Sequence, residues 1–184
     1  MCYFCKKIEQ EIMVYKIRVI LNTEEDVIRD IAIDSNSNLE DLHNAITNAF
    51  GYTGDEMASF YRSDETWVQG EEHPLFDMSE GADRKVQMSD VVIDDVLQND
   101  NDKLLYVYDF FNMWSFYIEL IQSDFDHNNV ELPGLLFSLG IVPNVAPEIQ
   151  FESEDLSKND FKEHDSEEDD FDEFEDDFSD FSYN

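Results

Sequence analysis

The sequence predicts an α+β domain of two layers, one sheet packed on one main helix, followed by an acidic tail. Three observations lead there. Apolar residues alternate with polar ones in two pairs of runs, within 14–34 and 103–121. A single stretch between them, 38–50, carries apolar residues at helical spacing. Beyond about residue 150 the apolar pattern gives way to Asp and Glu. Antiparallel hairpins flanking one long helix bury their apolar faces best against each other, which is the α+β solution.

Taken in order, Tyr15, Ile17, Val19 and Leu21 point one way, with Lys16 and Arg18 opposite. This is strand periodicity. Thr23-Glu24-Glu25-Asp26 breaks the run, and 27–34 alternates again, with Val27, Ile31 and Ile33 set against Arg29 and Asp30. Two short alternating runs joined by four polar residues read as a hairpin. Ser37-Asn38-Leu39-Glu40 has the form of a capping box, a hydroxyl followed three residues later by a carboxylate. Leu39, Leu42, Ile46, Ala49 and Phe50 then share a helix face, and Gly51 stands where a left-handed terminator belongs. A strand is expected over 58–62, then a long, partly anchored loop over 63–88 with one strand near 84–88. A short helix over Val92, Val96 and Leu97 is capped by Ser89 or Asp90. Asn99 to Asp102 is a turn. Lys103 to Phe110 and Trp114 to Ile121 are strong strands, and Pro133 to Val142 closes the domain as a strand or short helix.

Charge excludes several function classes. The chain of 184 residues has 11 basic and 45 acidic residues, a formal net charge of −34. Such a field repels phosphate backbones and anionic headgroups, so neither direct nucleic-acid binding nor membrane binding is expected. The longest apolar runs, such as Leu104 to Tyr108, fall far short of the ~20 residues of a spanning helix. Residues 1–12, with Lys6, Lys7, Glu9 and Glu11, show no apolar leader core and read as a frayed or non-native extension, with Met13 an alternative start. The protein is expected to be cytoplasmic. Cys2 and Cys5 are the only cysteines. They have metal or redox spacing but no partner ligands nearby, so they read as free thiols.

Several of these residues resemble a known family. They are Leu42-His43 with Ile46, Ala49, Phe50 and Gly51 on the helix, Phe60 on the next strand, and Lys103 to Phe110 followed by Trp114 and Ile118. The pattern is similar to the Ri-plasmid open-reading-frame-three-like family, also met as a passenger in insertion elements, over about residues 13–147. Its wording is closest to a short acidic branch in Bacteroidetes-type bacteria. The resemblance implies a β-grasp, ubiquitin-like mixed sheet over a domain of residues 13–150. It implies no particular activity. This chain departs from the family pattern at Phe111-Asn112, at Phe116 where a His is usual, and around Glu56-Met57. Of the family's polar positions, His43 and Asp109 remain.

No glycine-rich phosphate loop, nucleophile elbow, His-x-x-x-His pair or calcium loop occurs, and no cofactor is expected. His43 lies at the edge of the helix stripe. It is either a packing histidine or, with Asp109 as orienter, the base of a residual polar pocket. Asp94-Asp95 and Asp124-x-Asp126 read as solvated faces and turns. Phe110-Phe111-Asn112-Met113-Trp114 puts three aromatics and a Met into one connection. Either these fold under the sheet or they form an exposed patch of the kind partners bind.

Residues 151–184 hold 16 acidic and 2 basic residues and are expected to be disordered. Phe171, Phe174, Phe178 and Phe181 fall at i, i+3, i+7 and i+10, one helix face. The tail is either a solubiliser or a segment that becomes helical on a basic, grooved protein partner. Taken together, the residues point to a non-enzymatic acidic interaction module. The alternatives are an enzyme or small-ligand binder built on His43 and Asp109, and a nucleic-acid mimic.

Overall fold

The structure, a computed structural model, describes residues 12–78, 84–126 and 130–146. β1 (Val14–Leu21) and β2 (Val27–Asp34) form the expected hairpin, in register from Val14↔Asp34 to Leu21↔Val27. The helix α1 (Leu39–Phe50) follows, then β3 (Ala58–Ser63) and β4 (Gln69–Pro74). A single 3₁₀ turn at Met88–Asp90 leads into the one-turn helix α2 (Ile93–Val96). The chain ends its described course with β5 (Lys103–Tyr108), β6 (Trp114–Gln122) and β7 (Gly134–Leu139).

The seven strands make one sheet in the order β4-β3-β5-β6-β1-β2-β7. Every neighbouring pair is antiparallel, so the mixed sheet expected from the family resemblance is corrected. The central pairing joins β1 to β6, strands a hundred residues apart, and no local signal specifies its direction.

α1 and the 88–97 segment form the second layer. Leu39, Leu42, Ile46 and Phe50 meet Ile17, Val19, Ile31, Phe60, Leu104, Tyr106, Phe116 and Ile118 in one buried cluster, joined by Met88, Ile93 and Leu97. The helix begins one residue later than its sequence suggests. Asn38, not Ser37, is the N-cap: its side chain accepts from Asp41 N at 2.8 Å, and Asp41 Oδ2 accepts from Asn38 N at 3.2 Å. Ser37 is committed elsewhere, its N–H to Asp34 O and its carbonyl to Ile93 N. Gly51 ends the helix at φ 81°, as its position predicts.

Two further expectations are corrected. The strand of the 63–88 stretch is β4, not 84–88. Gln69–Pro74 has no alternation to announce it, and it forms because β3 offers a free edge. Arg29 and Asp30 do not share a face. Adjacent strand residues point oppositely. Arg29 is buried on the helix side, where its guanidinium donates to the carbonyls of Ala49, Ile28, Leu139 and Gly140 and lies 5.0 Å over the Phe50 ring. Asp30, on the other side, accepts both Arg18 hydrogen bonds and pairs with Lys16.

Candidate functional site

The candidate residues gather at one end of the sheet, where α1 runs out and β5 turns into β6. His43 sits on the buried side of α1, 2% exposed. Its Nδ1 lies 2.7 Å from Tyr106 Oη. Burial holds the Tyr106 phenol well above its ordinary pKa, so the hydroxyl keeps its proton and donates to Nδ1. Burial likewise lowers the His43 pKa, opposed by a hydrogen bond with the Gly54 backbone, and the ring is neutral near pH 7. Tyr108 Oη accepts from Gly54 N at 3.1 Å, which ties the 51–57 connection to β5.

Tyr52 completes an aromatic box. Its ring lies 5.1 Å from Tyr108, 5.4 Å from Trp114 and 6.2 Å from Phe116, and its buried hydroxyl has no hydrogen-bond partner. Phe116 packs edge-on to Phe50 at 5.1 Å and 5.3 Å from Tyr106. The position where the resemblance leads one to expect a histidine is thus occupied by core packing.

Asp109 does a different job. It adopts φ 57°, a conformation Asp tolerates better than most residues. Its Oδ1 accepts from Phe111 N at 3.1 Å and Asn112 N at 3.2 Å, and its Oδ2 from Asn112 Nδ2 at 2.6 Å. The Asn112 side-chain donor lowers its pKa, burial opposes it, and the two amides add to the lowering. Its own N–H donates to Met57 O, and its carbonyl accepts from Met113 N. No hydrogen bond or ion pair joins Asp109 to His43. One carboxylate therefore organises the whole turn.

That turn splits the aromatic segment. Trp114 is 7% exposed and packs in the core, whereas Phe110 at 41%, Met113 at 39% and above all Phe111 at 94% face outward. The segment is divided between surface and core because β6 starts at Trp114 and its alternation turns that ring inward. Asp94 is exposed, as expected, and also accepts the Tyr15 hydroxyl. Cys2, Cys5, Phe171, Phe174, Phe178 and Phe181 lie outside the described residues. Among the described residues, no group of three or more His, Cys, Asp or Glu could hold a metal ion. Nor is any helix there long and apolar enough to cross a membrane.

Sequence reasoning missed the Tyr106, Tyr108 and Gly54 surroundings of His43 and the roles of Arg29 and Asp109. One signal was visible. Leu104 to Tyr108 is apolar at every position, the mark of a strand with apolar residues on both faces.

An antiparallel seven-stranded α+β domain with a sealed histidine and an aromatic turn defines the class. The chain belongs to the plasmid pRiA4b ORF-3-like protein family, whose model matches residues 13–145. Its fold is similar to that of MM3350 from Methanosarcina mazei Go1, a protein of unknown function. The identity is 21%, with 69% of this chain and 70% of that one covered, at a TM-score of 0.57. No curated protein matches the chain.

Proposed function

We propose that this chain is a non-enzymatic, cytoplasmic protein-interaction module that offers the Phe110–Met113 turn to a basic, grooved protein partner. The observation that carries this reading is Phe111, 94% exposed at the tip of a turn whose backbone Asp109 holds in place. An apolar ring held out in water is unfavourable for the isolated chain, and a preorganised turn loses little entropy when the ring enters a pocket. The net charge of −34 selects a basic surface. His43 and Asp109, each committed to a structural partner, support the binding reading over the enzymatic one. Phe171, Phe174, Phe178 and Phe181 supply a second contact on the same partner, and neither nucleic acid nor membrane is bound directly. The β-grasp kinship is part of this reading. Its support is the β1–β2–α1 order, and it has to accommodate an antiparallel β1–β6 centre.

The test is capture from extract of the source cell by the immobilised full chain and by Phe111→Ser, quantified by mass spectrometry. A genuine partner is lost at least about ten-fold with Phe111→Ser, while the melting temperature stays put because the ring packs on nothing. Equal capture by wild type and Phe111→Ser would sink the proposal.

A further inference from the structure

The sheet has a second face, over which no helix of the described residues lies. Over six of the seven strands the registers set one side chain per strand in a row across it: Tyr61, Leu105, Tyr117, Ile20, Ile28 and Leu139, with Glu72 of β4 beyond Tyr61 and accepting from its hydroxyl. All six are apolar or aromatic, and the row ends on the unpaired edge of β7. The neighbouring row reads Lys103, Glu119, Arg18, Asp30, with Asp30 buried under its bonds to Arg18 and Lys16. On a chain of net charge −34, this part of the face is not acidic. Trp67 leans over the β5–β6 half, its ring 4.8 Å from Tyr117 and 4.6 Å beneath the Lys103 ammonium.

We propose that this face binds a second copy of the same chain, sheet against sheet, about a two-fold axis running along the strands between β6 and β1. That operator reverses the strand order. It sets Tyr117 against Ile20 of the second copy, Leu105 against Ile28, and Tyr61 against Leu139. The same operator sets Glu119 against Arg18, so the charged pair beside the axis meets its own complement, while Asp30, 2% exposed beneath Arg18 and Lys16, stays out of the contact. The apolar row and this central pair are self-complementary under one axis, the requirement of an isologous interface. The Trp67 knob of each β5–β6 half meets the unroofed β1–β2 half of the other.

The dimensions suffice. Seven strands about 4.8 Å apart and roughly 20 Å long give a face on the order of 600 Å², near the ~800 Å² per partner of a standard interface once side chains are added. Packed sheets cross at about 30°, so the pairs beside the axis carry most of the contact. The turn at Phe111 takes no part, and this inference stands or falls separately from its role.

Sedimentation velocity on the full chain, from roughly 5 to 200 μM and at about 0.05 and 0.5 M salt, tests the proposal. A dimer is expected. Its Kd should tighten at least about ten-fold at the higher salt, because screening removes the repulsion between two strongly negative molecules. Ile20→Glu, beside the axis, should weaken it at least about ten-fold. Glu119→Arg sets like charges across the axis without touching Asp30 and should be monomeric while folded, as judged by circular dichroism. If Ile20→Glu does not fold, Glu119→Arg decides. A wild-type chain monomeric at both salts overturns the proposal, as does a dimer indifferent to these changes or a face that captures only some other protein.

Discussion

At His43 one buried hydrogen bond governs the behaviour of the imidazole. A neutral imidazole accepts the Tyr106 hydroxyl in a site from which water is excluded. Removing that donor strands Nδ1, so Tyr106→Phe should cost about 1–3 kcal/mol by denaturant titration. The lowered pKa also links to pH. His43 binds a proton more readily unfolded, near 6.5, than folded. Its stabilisation is therefore complete above that value and is lost as pH falls below it toward the lower folded pKa. Stability measured from pH 7.5 down to about 5.5 should fall in the wild type, with a shallower slope in His43→Gln. Asp109 has the acid's version of the same sign. Its contribution is present above the ordinary carboxylate range and fades as pH drops through its lowered folded value. Asp109→Gly keeps the positive φ but loses all three side-chain acceptor contacts. The variant should free the Phe111 amide to exchange faster with deuterium.

Among the elements, α1 tests the reading of its own cap. Asn38→Ala should cost ~0.5–2 kcal/mol and Ser37→Ala well under half a kcal/mol, since only Asn38 satisfies an orphan helix amide. The reverse ranking in thermal or urea melts would place the cap where the sequence alone puts it. Leu42→Ala or Ile46→Ala, both fully buried, should cost ~2–5 kcal/mol. Arg29 joins three elements, holding the last turn of α1 and the end of β7 to β2 through backbone carbonyls. Lysine keeps the charge but cannot span those acceptors, so Arg29→Lys should cost about 2–3 kcal/mol and loosen β7 first in hydrogen exchange.

For the molecule as a whole, charge dominates. With net −34 the chain should not retain duplex DNA near physiological salt, as a filter or fluorescence assay would show. Binding that weakens steeply with added salt would contradict this. The acidic tail carries the second whole-molecule prediction. Changing Phe171, Phe174, Phe178 and Phe181 to Ser preserves every charge and should abolish the tail's share of partner capture. A tail of identical composition in which the rings no longer share a helix face should fail in the same way. Capture by that shuffled tail equal to the native one would mean that composition alone matters.

The two hairpin strands, the main helix, its glycine stop and the β5–β6 pair were legible because each has a period of its own, and a period is written in neighbouring residues. The family was legible from the wording of α1 and β5. Other features follow from partners distant in sequence. β4 exists because β3 has an edge to fill, and nothing in Gln69–Pro74 says so. Ser37 loses the cap to Asn38 because its backbone is already bonded to residues 34 and 93. Arg29 is buried because β7 and α1 bring carbonyls to it. Asp109 was visible as a polar residue between aromatics. That it shapes a turn rather than serving His43 depends on where two strands place them. The register across β3, β5, β6, β1, β2 and β7 aligns residues from six strands into one row. Pairing between strands is non-local, and no window along the chain contains it.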